Sequence, residues 1–174
     1  MGEHEQFTFQ GWNDETVYAY VVKPYDWTEE KAAAGQTWPV AFLVHGGPHG
    51  AWRDSFHFRW NAQAFSSWGY VTAWPNFHGS SGFGQEFTDS INPDWMTKPY
   101  ADVIAATEWL ADKPWIDSER MVASGCSYGG YLSSVLLGAV LAILSTLFLL
   151  SRAMEQEGTI PFADKEVQDR LRDQ

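Results

Sequence analysis

The chain has 174 residues, 45% of them hydrophobic and 16% aromatic, a content that excludes disorder and a length that suits one domain or part of a larger one. Twenty-two acids against eleven bases leave a formal net charge of −11, which argues against nucleic-acid binding through a basic surface. The single Cys, Cys126, excludes an internal disulfide framework and a Cys-rich zinc site.

The opening MGEHEQFTFQ has neither a basic start nor an apolar run, so no signal peptide is expected there. Residues 16–22, TVYAYVV, are β-branched and aromatic and predict a strand. Residues 30–34 read as a loop or short turn. Residues 39–44, PVAFLV, form an apolar run stopped by His45-Gly46-Gly47-Pro48, the pattern of a strand buried on both faces. A helix is predicted over 59–68, ended by Gly69, and a strand over 70–74. The segment 78–84, HGSSGFG, is a glycine-rich loop. Residues 101–112 predict a helix with Val103, Ala106 and Leu110 on one face and Asp102 in the first turn, favourable for the helix dipole. Residues 120–124, RMVAS, are a fourth apolar run, followed by glycine-rich 125–130 and then by 131–150, twenty residues without a charge. Strands alternating with helices predict an α/β layer with a mostly parallel sheet and an antiparallel edge from the first strands.

Gly125-x-Ser127-x-Gly129 is the motif with chemical content. A nucleophile elbow needs glycine on both sides of its serine, because the strand-to-helix turn is too tight for a Cβ there. The serine is strained and its hydroxyl is thrust above the sheet. The following helix points free N–H groups at the site, and the Tyr128 N–H is one donor to an oxyanion. The loop at 45–48 follows a buried strand, where a second oxyanion donor is expected.

Other candidates have plainer readings. His45 and His49 are four residues apart, but the intervening Gly-Gly-Pro does not form a helix that would pair them as metal ligands. Nor are His57 and His78 read as ligands. Cys126 is expected to pack away from the site, buried and inert. The 80–84 segment, SSGFG, lacks the Lys of a phosphate-binding loop.

Three segments carry a resemblance: HGGPHGAW at 45–52, NFHGSSGFGQEFTDSI at 76–91 and SGCSYGGYLSS at 124–134. Together with EQFTFQGWNDETVYAYVVKP at 5–24, they resemble the prolyl oligopeptidase family of serine peptidases, and within it the fungal dipeptidyl-peptidase V group. The likeness covers residues 5–138; residues 139–174, the end of the apolar run and a charged tail, resemble nothing in that family. The resemblance implies an α/β-hydrolase catalytic domain preceded by a β-propeller, secretion, and cleavage of short peptide substrates by a Ser-Asp-His triad without metal or cofactor. It implies Ser127 as nucleophile, with the backbone N–H groups of Tyr128 and Gly46 as the oxyanion hole.

The departures matter as much. In α/β-hydrolases the triad runs Ser, Asp, His along the chain. The 47 residues after Ser127 contain no His, and none of their carboxylates matches the family's acid motif. The expectation is a partial α/β-hydrolase fold without its last strands, a catalytic-domain portion with little or no turnover by itself. A complementing chain that supplies the missing triad members is one implied partner. The rival reading is a non-catalytic α/β-hydrolase-like binding protein held at a membrane by 131–150, which at 1.5 Å rise per residue would make a helix about 30 Å long.

Overall fold

The computed structural model describes residue 2 and residues 4–138. Residues Met1–Val135 make one compact unit, and the account concerns that unit. Its strands are β1 (His4–Gln10), β2 (Thr16–Val22), β3 (Trp38–Val44), β4 (Val71–Asn76) and β5 (Ile116–Gly125). Its helices are α1 (Glu29–Ala33), α2 (Ala62–Ser67), α3 (Gln85–Asp89) and α4 (Thr97–Ala111), and residues 128–138 are helical and are called α5.

The strand order is β1-β2-β4-β3-β5. β1 and β2 pair antiparallel, as do β2 and β4, while β3 is parallel to both β4 and β5. The sheet is therefore mixed rather than mostly parallel, and the antiparallel edge is as large as the parallel part. β1 is absent from the sequence reading because HEQFTFQ buries only Phe9; an edge strand with one solvated face gives little apolar signal. β3 lies between two neighbours, and every residue of it except Pro39 is buried, as its unbroken apolar run predicts.

Successive strand residues point to opposite faces, and this alternation builds two cores. Val21, Phe42 and Ala73 face one side, where Ala106 and Leu110 of α4 cover them. Val22, Leu43 and Trp74 face the other, where Phe65 of α2 packs with Trp52 and Trp60. Full burial of a side chain such as Leu43 or Leu110 stabilises by about 1.5–3 kcal/mol.

The helix boundaries follow their caps. α2 begins later than predicted, because the Asn61 carboxamide accepts the Gln63 N–H at 3.0 Å and holds Asn61 extended. α4 begins earlier, because the Asp94 carboxylate takes the N–H groups of Met96 and Thr97. Asp102 therefore lies beyond the first turn of α4 and is fully buried; its partners are side chain and loop, not the helix dipole. A short helix α1 replaces the loop expected at 30–34, capped by Thr28, and α3 follows the glycine-rich loop. No helix among the described residues is long and apolar enough to cross a membrane. Most of the apolar run at 131–150 lies outside the described residues, and so does the long helix expected there.

Candidate active site

β5 ends at Gly125 and α5 begins at residue 128, so only Cys126 and Ser127 make the turn. Ser127 has φ +58°, a left-handed conformation that serine adopts only when its surroundings impose it. Those surroundings are visible. A Cβ on Gly125 would lie 2.5 Å from the Gly129 carbonyl carbon and 2.7 Å from the Val44 oxygen. A Cβ on Gly129 would overlap that same Val44 oxygen. The Gly129 N–H closes the turn on the Cys126 carbonyl at 3.0 Å. Ser127 is exposed, and among the described residues its hydroxyl has no hydrogen-bond partner.

Parallel pairing puts Val44 beside Gly125, so the loop after β3 and the turn after β5 leave the sheet side by side. Gly46 faces the turn: a Cβ there would be 2.9 Å from the Cys126 oxygen and 3.4 Å from Ser127 Cβ. Tyr128 opens α5, so its N–H has no partner inside the helix. Its side chain is buried and its hydroxyl donates to the Trp95 carbonyl at 2.5 Å. Burial pushes that phenol above its ordinary pKa, so it stays neutral.

No histidine of the described residues stands ready as a base for Ser127. His45 is the residue between β3 and Gly46. Its Nδ1–H donates to the Gly46 carbonyl at 2.9 Å, its Nε2 lies 2.8 Å from Ser80 Oγ, and its ring stacks on Phe77. Burial lowers its pKa to about 4, against the opposing effect of the Gly46 bond, so it is neutral and anchors the loop. His78 is fully buried; Nδ1–H donates to Asp102 at 2.6 Å and Nε2–H to Glu15 at 3.1 Å. Burial works against its charge, but the two carboxylates outweigh burial and raise its pKa. His49 donates to the Gly79 carbonyl. His57 accepts the N–H groups of Arg59 and Trp60 on Nδ1, so its proton sits on Nε2 and that nitrogen is a donor. His4 lines the same groove as Ser127, but its Nε2 is engaged with Asp54 at 3.1 Å.

A groove of about 590 Å³ opens beside Ser127 and runs along residues 50–63. Cys126 lines it and is exposed, which corrects the expectation of a buried, inert thiol. The turn points the side chains of both Cys126 and Ser127 outward. The sequence reading also missed the groove wall itself, having placed 59–68 on a helix. The signal was present in Asn61, an N-cap residue directly before the AQAF run.

A strained serine between two obligatory glycines, leaving a parallel strand beside the loop of its neighbour, is the elbow geometry of an α/β-hydrolase. Comparison with known proteins agrees and narrows the class. The prolyl oligopeptidase family matches residues 56–142. Dipeptidyl-peptidase 5 of Schizosaccharomyces pombe is 40% identical over 136 residues, 78% of this chain and 19% of that protein. A probable dipeptidyl-peptidase 5 of Emericella nidulans is 41% identical over 129 residues, 74% of this chain and 17% of that protein. Among solved structures, a puromycin-hydrolyzing peptidase of Mycobacterium tuberculosis superposes with a TM-score of 0.68 at 26% identity, covering 78% of this chain and 20% of that one. The chain belongs to the prolyl oligopeptidase family of serine peptidases, and it spans about a fifth of the length of the curated relatives it matches.

Proposed function

We propose that this chain carries the nucleophile and oxyanion hole of a serine peptidase acting on short peptides. The observation behind this is the positive φ of Ser127, held by Gly125 and Gly129, with Gly46 packed against it. Ser127 Oγ attacks the scissile carbonyl carbon. The carbonyl oxygen becomes the oxyanion of a tetrahedral adduct and accepts from the Tyr128 and Gly46 N–H groups; the C–N bond then breaks, the amine leaves carrying the proton that Oγ gave up, and the acyl-Ser127 that remains is hydrolysed by water. The Oγ proton must pass to a base, and the described residues around the elbow offer none. The 174 residues by themselves therefore turn over slowly, and a complementing chain supplying Asp and His restores the rate. Peptide substrates, and release of dipeptides in particular, come from the likeness to dipeptidyl-peptidases.

The test is labelling of the folded chain with a fluorophosphonate, located by mass spectrometry. The expected adduct forms on Ser127, is lost in Ser127→Ala, and forms about 10⁴-fold or more slowly than on a complete triad. An adduct on another residue removes Ser127 from the role. Rapid labelling by the chain alone shows that a base is present and refutes the low-turnover reading.

A further inference from the structure

The groove beside Ser127 carries charge that the proposed chemistry leaves unused. In an acidic chain, cations are usually taken up by neighbouring carboxylates, and here Lys23, Lys31 and Arg120 each pair with one. Lys113 lies over the ring of Trp109. Arg53 and Arg59 both line the groove, and among the described residues neither pairs with a carboxylate. Asp54, which also lines the groove, lies 3.1 Å from His4. Trp52 and Trp60 line the same groove, and part of that lining is built in advance. Trp52 is fixed by three bonds, from its N–H to Asn76 (2.7 Å), from its indole N–H to the Leu43 carbonyl (3.0 Å), and from Asn76 Nδ2 to its carbonyl (3.1 Å). The turn that bears Arg59 is tied to the His57 imidazole through the Arg59 N–H.

We propose that this groove is a subsite for a carboxylate of the peptide substrate, with Arg53 and Arg59 as its ligands and the Trp52 and Trp60 rings as its apolar floor. Guanidinium groups match carboxylates in geometry as well as charge, and a fixed floor lowers the ordering cost of binding. The carboxylate is either the free C-terminus of a short peptide or an Asp or Glu side chain. The proposal rests on the peptidase reading of the site, but its test needs no turnover.

The experiment is titration of the chain with three peptides, followed by tryptophan fluorescence: Ala-Ala-Phe, its C-terminal amide, and Ala-Ala-Asp amide. Ala-Ala-Phe is expected to bind at least tenfold tighter than its amide. Tight binding of Ala-Ala-Asp amide assigns the subsite to side-chain carboxylates as well; weak binding restricts it to a free C-terminus. The R53Q/R59Q variant, with an unchanged circular dichroism spectrum, is expected to bind all three with equal, weak affinity. In the wild-type chain the preference should shrink as salt is raised from about 0.05 to 0.5 M, because partly exposed ion pairs are screened. Equal binding of acid and amide, an unaltered preference in R53Q/R59Q, or no binding at all overturns the proposal. Fluorophosphonate labelling reports on Ser127 independently, so failure of the subsite and failure of the nucleophile are separate results.

Discussion

Ser127 keeps a backbone conformation that costs on the order of 1–3 kcal/mol, and two glycines make the cost bearable by letting β3, β5 and α5 meet without side chains between them. Gly130 provides the contrast. It lies in α5, and a Cβ there would come no closer than 3.5 Å to the Gly125 oxygen. Gly129→Ala is expected to cost about 3 kcal/mol, because the Val44 carbonyl has to move away. Gly130→Ala is expected to be neutral or to gain up to about 1 kcal/mol from helix propensity. Urea unfolding of the two variants measures both, and equal effects would show that the elbow is not the tight turn described. Turn chemistry of this kind is local, which is why the glycines and Ser127 were legible in the sequence. Exposure is not local: whether Cys126 is covered depends on elements distant in the chain, and that expectation was wrong.

Between elements, the polar contacts were the least legible. Asp102 of α4, His78 after β4 and Glu15 before β2 converge from three segments, and Asp102 also accepts the Trp12 N–H at 2.8 Å. No spacing rule joins residues 15, 78 and 102. Stability should depend on pH through the two buried histidines, with opposite signs. The folded pKa of His78 is raised, so its contribution is complete below about 6.5 and is lost as pH climbs through the raised value. The folded pKa of His45 is lowered to about 4, so stability falls as pH drops from about 6.5 toward 4, where only the unfolded chain takes up the proton. That interval corresponds to on the order of 3 kcal/mol. Urea midpoints measured across pH should therefore pass through a maximum just above 6.5. His78→Gln should flatten the alkaline limb and His45→Gln the acidic one; a limb unchanged by its variant removes that histidine as its cause.

At the scale of the molecule, parallel pairing of β3 with β5 brings the elbow and the Gly46 loop together, and the mixed sheet follows from a β1–β2 hairpin laid antiparallel on β4. The α/β alternation was readable from the order of apolar runs. The number of antiparallel pairs was not, because β1 has one wet face and buries a single residue. β5 shows the same difficulty in reverse. Its RMVAS run reads as interior, yet among the described residues β5 pairs only with β3, and Val122 is 49% exposed. An apolar strand with an open edge recruits further strands. Among the described residues that edge of β5 is open, and we predict self-association through it. Val122→Lys places a charge on the exposed edge strand and leaves the buried β3 residues untouched. The expected outcome is at least a severalfold rise in the concentration at which light scattering first detects aggregates, with circular dichroism unchanged. An unchanged onset would mean that association does not run through β5, and would weaken the case for strand complementation with it.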